Sequence, residues 1–167
     1  MKRSATLLRA AALAVLVYLP VPALAHDDAG TIRHVLMNMF DRPDARLTVD
    51  PVTVEGDIAV AGWAQGGMGG RALMRRMSGS WQIVLCSGDA LKEARGLKQF
   101  GLDEQQALAM SSAIAKAEAG LDPALVEKFS RFDGIVMMGA DGTHPPAGNH
   151  QGMSPESRNR FRDNDML

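Results

Sequence analysis

The sequence predicts an α+β fold, in which an N-terminal helix packs on a four-stranded antiparallel meander that is followed by two or three helices. The first observation is that apolar residues recur at helical spacing over residues 32–40. The second is that they alternate along four runs between residues 47 and 86, and turn signals separate these runs. The third is that helical spacing returns after residue 90. Beyond residue 138 small and polar residues dominate, which predicts a disordered tail over 139–167.

The N-terminus has the three parts of a secretory signal. Lys2, Arg3 and Arg9 make its start positive, an apolar run covers 10–19, and Ala23-Leu24-Ala25 has the small-x-small form of a cleavage site. The apolar run is shorter than the roughly 20 residues that a membrane-spanning helix needs. We therefore predict a signal peptide over 1–25, a cut after Ala25 and a periplasmic mature protein that does not span the membrane. A retained N-terminal anchor is the alternative.

The composition of the mature chain restricts the classes of protein to consider. Removal of residues 1–25 leaves 142 of the 167 residues, enough for a single α+β domain over 26–138. The signal contains three positive charges and no negative ones, so the mature chain has 15 Lys+Arg against 19 Asp+Glu. No basic stripe or set of stacking aromatics indicates a nucleic-acid partner. Cys86 is the only cysteine, which excludes an internal disulfide and a two-cysteine metal site.

The first half of the domain is predicted as one helix and four strands. Thr31 or Asp28 can cap the helix, whose apolar positions are Ile32, Val35, Leu36, Met39 and Phe40. The strands are predicted near 47–54, 58–64, 71–77 and 81–86, with Pro51 marking an edge or a bulge in the first strand. The Gly-rich stretch Gln65–Gly70 is predicted as a flexible connection. A sheet of this kind usually buries one face, and the first helix can cover it.

The second half of the domain is predicted to be mainly helical. One helix is expected over 90–100, and a capping box of Asp103 with Gln106 opens the next. The pair Asp122-Pro123 opens a third helix, with a cap followed by proline at the first helical position. Residues 135–138 form either a short last strand or a docked extension.

The two ends of the mature chain carry residues that suit copper. A cut after Ala25 gives His26 a free α-amine beside its imidazole, and these two nitrogens can chelate one Cu(II) ion. In the tail, His144, His150 and Met153 combine imidazole with thioether, and thioether favours Cu(I). The competing interpretations are a frayed N-terminus and a polar tail that simply contains histidines.

Three further residues are candidates. Met68, predicted at the tip of the Gly-rich connection, is either a soft metal ligand or a docking point. His34 is expected at the surface of the first helix, away from its main apolar stripe. Cys86 is predicted to be a buried structural residue, because a thiol nucleophile needs a nearby base and the sequence places none beside it. A thiol enzyme centred on Cys86 is the alternative.

The stretch from Gly56 to Lys92 is the most distinctive part of the sequence. It contains G-D-I-A-V-A-G-W-A-Q-G-G-M-G-G-R-A-L-M-R-R and W-Q-I-V-L-C-S-G-D-A-L-K, and S-R-F-D-G follows at Ser130–Gly134. Over about residues 30–138 the chain resembles the small exported proteobacterial proteins known as copper uptake system-associated proteins. The resemblance implies a non-enzymatic periplasmic role in copper handling. It also implies a common surface or turn formed by Trp63, Gln65, Gly66, Met68, Gly69, Gly70, Arg71, Cys86, Gly88 and Asp89.

Two functions are expected on these grounds. The first is an accessory protein that binds or delivers copper, with a copper transporter or another periplasmic copper protein as its partner. The second is an interaction module without metal, in which Gln65–Gly70 and Trp63 dock a partner.

Overall fold

The computed structural model describes residues 27–139 and 142–143, so the predicted signal peptide and most of the predicted tail lie outside the described residues. The predicted α+β fold class is confirmed: a helix precedes an antiparallel sheet, and further helices follow. The elements are α1 (Asp28–Phe40), β1 (Leu47–Glu55), β2 (Ile58–Gln65), β3 (Met68–Met77), β4 (Ser80–Ser87), α2 (Ala94–Gln99), α3 (Glu104–Glu118), α4 (Pro123–Ser130) and β5 (Ile135–Met137). In this part of the chain no helix is long and apolar enough to cross a bilayer.

The sheet has five strands in the order β1-β2-β3-β4-β5, and neighbours pair antiparallel. Residues 135–137 therefore form a short strand, the first of the two alternatives, at the β4 edge. The other edge is β1, where the pairing register shifts between Val49 and Val52. Pro51 thus lies both on an edge strand and at a bulge, where its missing N–H costs no ladder hydrogen bond.

The prediction of a flexible connection over Gln65–Gly70 is wrong. Gln65 ends β2 and Met68 begins β3, so only Gly66 and Gly67 form the turn, and Gly66 has a positive φ of 60°. Gly69 and Gly70 lie buried in β3 because other elements approach them closely. A Cβ on Gly69 would lie 2.9 Å from Lys128 Cβ, and a Cβ on Gly70 would lie 2.9 Å from Phe132. Close packing by distant residues, rather than flexibility, accounts for these two glycines.

Both faces of the sheet are covered, which corrects the expectation that only one would be. The first face packs against α1 through a core that includes Ile32, Leu36, Ala61 and Met74. The second face packs against α2 and α3 through a core of Ile58, Val60, Leu73, Leu85, Leu91, Leu97, Leu102, Ala107, Met110 and Ile114. Consecutive residues of a strand point to opposite faces, so the apolar runs in β2 and β3 supply both cores.

Two helix starts differ from the sequence prediction. The cap of α1 is Asp27, whose carboxylate accepts a hydrogen bond from the Gly30 N–H, so the helix begins before Thr31. The helix predicted over 90–100 is divided into a 3-10 turn at Asp89–Leu91 and the shorter α2. The capping box at Asp103 is confirmed by both reciprocal hydrogen bonds.

Candidate functional site

A pocket of about 340 Å³ lies between α1 and the first face of the sheet. Its lining comes from α1, from all five strands and from residues on either side of β5: Leu36, Phe40, Leu47, Trp63, Gln65, Met68, Ala72, Ile83, Cys86, Phe132, Val136 and Met138. This set is almost entirely apolar, and the lining contains no charged side chain. Pockets of this size and lining are typical of binding sites for small molecules.

The wall around Trp63 is fixed by aromatic packing. Phe132, which follows α4, meets the Trp63 ring edge to face, with centroids 5.8 Å apart and planes at 80°. Gly70 lies opposite Trp63 in β3, and a Cβ there would meet both rings within 3.1 Å. The small residue in the neighbouring strand therefore makes room for the aromatic pair.

The polar donors of the pocket are either bonded within the protein or buried from the pocket space. The Gln65 amide donates to the backbone oxygens of Phe40, at 2.7 Å, and Ala45, at 2.8 Å, which ties β2 to the end of α1. The indole Nε1 of Trp63 is buried without a partner in hydrogen-bonding geometry. It lies close enough to Cys86 to favour the thiolate slightly. The pocket thus offers a ligand little chance to form hydrogen bonds.

Cys86 is buried in the pocket wall, with 8% of its surface exposed. Burial raises the pKa of the thiol to about 12, and the nearby indole N–H of Trp63 offsets only part of this rise. The group is therefore a neutral thiol at physiological pH. The structure agrees with the sequence prediction that Cys86 is buried.

Four residues, which we call the rim, border the pocket: Phe40 and Met68 line it, and Gly142 lies against Met39 and Phe40. Met68 follows the β2–β3 turn with 66% of its surface exposed. After β5 the chain turns at Gly139–Thr143 and reaches α1, where a Cβ on Gly142 would lie 3.1 Å from Met39 Sδ and 3.2 Å from Phe40 Cζ. Gly142, near the C-terminal limit of the described residues, therefore lies against the end of α1.

The sequence-predicted metal residues fall into different places. Met68 lies at the rim, whereas His26, His144, His150 and Met153 lie outside the described residues. His34 is exposed on α1, as predicted. Within residues 27–139 and 142–143, no group of three or more His, Cys, Asp or Glu side chains is placed to hold a metal ion.

Met68 and Cys86 line the same pocket but are too far apart to bind one ion. Cys86 pairs with Ala72, the fourth residue after Met68 along β3. A strand advances about 3.3 Å per residue, which places the two side chains at positions roughly 13 Å apart along the sheet. The rim and the thiol are therefore separate features.

The second face carries a buried ion-pair network. Arg71 is fully buried, and its guanidinium contacts both carboxylate oxygens of Glu118, Nε–Oε1 at 2.6 Å and Nη2–Oε2 at 2.9 Å. Its Nη1 lies 3.1 Å from Asp89 Oδ1, which also accepts a hydrogen bond of 2.7 Å from Ser130 Oγ. The network joins β3 to the start of the 3-10 turn and to α3 and α4, so its part is structural.

The residues that the family resemblance grouped together meet at one end of the sheet but on two faces. Trp63, Gln65, Met68 and Cys86 line the pocket, whereas Arg71 and Asp89 belong to the network on the opposite face. Gly88 contacts the backbone oxygen of Phe132, to which a Cβ would come within 2.4 Å. The set thus includes both pocket residues and residues that hold the surrounding elements in place.

Sequence reasoning missed three pocket residues that lie far along the chain from the Gly-rich stretch: Phe132, Val136 and Met138. Phe132, Val136 and Met138 reach the pocket only because β5 returns to pair with β4. For the strand residues the sequence does contain a signal: Trp63 and Gln65 are two positions apart in β2, which places both side chains on one face of the sheet.

The fold and the site define an α+β domain with an apolar pocket on one face and a buried ion-pair network on the other. Comparison with protein-family models, with curated proteins and with solved structures finds no match. The chemistry of the chain's own residues is therefore the basis for its function.

Proposed function

We propose that this protein is an exported periplasmic accessory protein that binds or delivers copper without catalysis. Its sequence begins with the features of a cleavable signal, and it resembles the copper uptake system-associated proteins over about residues 30–138. A copper transporter or another periplasmic copper protein is its expected partner.

The observation that supports the proposal is the presence of exposed thioether side chains at the rim. Met68 is largely exposed there, and Met39 is 36% exposed beside Gly142. His144 directly follows Thr143 in the sequence. Thioether and imidazole together suit copper, and thioether favours Cu(I).

The N-terminal chelator belongs to a second, separate site. His26 precedes Asp27, the cap at the start of α1, whereas the rim lies at the end of the same helix. A helix of 13 residues is about 20 Å long. We therefore propose that the amine and imidazole of His26 bind Cu(II) independently of the rim, which would bind Cu(I).

The raised pKa of Cys86 supports a role without thiol catalysis. A thiol with a pKa near 12 is almost fully protonated at neutral pH, and the thiolate is the form that attacks substrates. The alternative of an enzyme centred on Cys86 predicts rapid reaction with a thiol reagent in the folded state.

Copper titration of the mature protein, with its true N-terminus and no affinity tag, tests the proposal. We expect acetylation of His26 to weaken Cu(II) binding, and Met68→Leu or His144→Ala to weaken Cu(I) binding under anaerobic conditions. Met77→Leu is the matched control, because Met77 is also exposed but lies at the other end of β3. No binding tighter than about 10 μM for either ion would contradict direct copper binding.

The rim also favours a second candidate function, docking of a partner protein without metal. Met68 presents an exposed apolar side chain directly beside the pocket. Met68→Leu separates the two functions, because it removes the thioether and retains the apolar surface. Docking predicts that this variant still binds the partner, whereas copper coordination predicts weaker Cu(I) binding.

A further inference from the structure

We propose that the pocket is a binding site for a small, neutral, predominantly apolar organic molecule. This site adjoins the copper rim, with which it shares Phe40 and Met68, but a ligand of this kind would contact carbon-rich walls between α1 and the sheet.

The size of the pocket sets the size of the ligand. A volume of about 340 Å³ is larger than the voids left by ordinary packing, which rarely exceed one water molecule. At about 30 Å³ per water-sized group, the pocket holds a molecule of roughly ten non-hydrogen atoms. A substituted benzene ring or a short alkyl chain has this size.

The lining sets the chemistry of the ligand. Among the described residues no charged side chain lines the pocket, so an ion would lose its hydration without gaining a partner. The two donors of the Gln65 amide are already bonded to backbone oxygens, and the Trp63 Nε1 atom is buried out of a ligand's reach. A strongly polar ligand group would therefore also remain unpaired, which favours a hydrocarbon-like ligand.

The position of Trp63 and Met68 makes the pocket both accessible and measurable. Met68 lines the pocket and is 66% exposed, so the site opens to solvent at the rim. Trp63 forms part of the wall and is a fluorescent reporter within contact distance of a bound molecule.

Three probes of similar shape test the chemistry: n-butylbenzene, 4-phenylbutan-2-one and 4-phenylbutanoate. We expect tryptophan fluorescence and calorimetry on the full mature chain to show binding of n-butylbenzene with a Kd of about 10 μM to 1 mM. The ketone should bind no more tightly than the hydrocarbon, and the carboxylate should bind at least tenfold more weakly at neutral pH. Equal or tighter binding of the carboxylate would overturn the proposal, as would the absence of binding by all three probes.

Two substitutions place the binding in the pocket. Val136→Phe adds a ring from the half-buried edge strand, and Ala72→Leu fills the pocket from the centre of the sheet. Each should weaken n-butylbenzene binding at least tenfold while the folded-state circular dichroism is retained. Leu108→Ala, on the exposed side of α3, is the control and should leave the affinity unchanged. Unaltered affinity in a folded Val136→Phe protein would place the probe elsewhere and overturn the proposal.

One more variant tests whether a segment of this chain, rather than a free molecule, occupies the pocket. The sequence after residue 143 contains Phe161, an aromatic side chain of the chemistry that the pocket favours. If Phe161→Ala raises the probe affinity at least tenfold, the tail rather than a free molecule is the occupant, and the proposal fails. Unchanged affinity supports a free ligand. Because no metal is present in these titrations, their outcome is independent of the copper proposal.

Discussion

Removal of the Glu118 carboxylate is the sharpest test of what holds the second face of the sheet together. Arg71 is fully buried, and Glu118 contacts it through both oxygens. Breaking a buried pair by removing one partner typically costs about 3–5 kcal/mol, because the remaining charge keeps its desolvation cost. Asp89 stays 3.1 Å from Arg71, but its side chain is 54% exposed and compensates only in part. We therefore expect Glu118→Ala to lower the free energy of unfolding by about 3 kcal/mol.

Urea unfolding followed by circular dichroism measures this change. With a urea slope of about 1–3 kcal/mol/M, the midpoint should fall by about 1–3 M. The matched control is Glu127→Ala, which breaks the exposed pair of Glu127 with Arg131 in α4, where both side chains are 63% exposed. This control should change stability by less than about 1 kcal/mol.

The double substitution of Arg71→Met with Glu118→Leu completes the test. It removes both charges together, so no buried charge remains uncompensated, and most of the lost stability should return. A Glu118→Ala protein that is as stable as the Glu127→Ala control would refute the structural role of the network.

Three further predictions concern the thiol, the glycines and the first helix cap. Because the folded state raises the Cys86 pKa from 9.0 to about 12, the folded thiol keeps a proton that the unfolded chain loses above pH 9. The free energy of unfolding should therefore fall by up to about 1.4 kcal/mol per pH unit from about pH 9 upward. Urea unfolding at about pH 8 and about pH 10.5 measures this fall, which should be smaller in the Cys86→Ala variant than in the unsubstituted protein. Gly70→Ala should destabilise the fold by about 1–3 kcal/mol, since its Cβ would lie 2.9 Å from Phe132. Gly67→Ala is the control and should change thermal stability little, because its Cβ would meet no described atom within 4 Å. Similar melting temperatures for the two variants would contradict this packing. Asp27→Ala should cost about 1 kcal/mol by removing the α1 cap, and an unchanged urea midpoint would show that the cap contributes nothing.

Features that depend on neighbours along the chain could be predicted from the sequence. The capping box of Asp103 with Gln106 and the Asp122-Pro123 helix start each involve residues within one turn of each other, so their residue types sufficed. The turn around Gly56, with a φ of 61°, is equally local. The helix and the meander followed from the change of apolar period.

Features that depend on distant residues could not be predicted in the same way. Gly69 and Gly70 resemble a flexible loop until Lys128 and Phe132 are seen packing on them. Glu118 is a charged residue on the buried stripe of α3, and only its contact with Arg71 accounts for that position. These contacts join parts of the chain that no sequence spacing connects.

The pocket depends both on local sequence pattern and on contacts between distant residues. Its floor in β2 and β3 was predicted as strands, but the wall at Val136 exists only because β5 returns to β4. Of the predicted copper residues, Met68 lies at the rim, and copper binding stays a prediction because the four others lie outside the described residues.

The meander has a consequence for how the chain acquires its structure. From β1 to β4 each strand pairs with its neighbour in sequence, across turns such as Gly56–Asp57 and Gly66–Gly67. Contacts of this kind have low contact order, and single hairpins form in about 1–10 μs, so these strands can assemble early. The β4–β5 pairing joins Ser87 to Ile135 and must wait for the intervening helices to bring the chain back. We therefore expect the pocket to be among the last parts of the molecule to take shape, after the sheet that supports it.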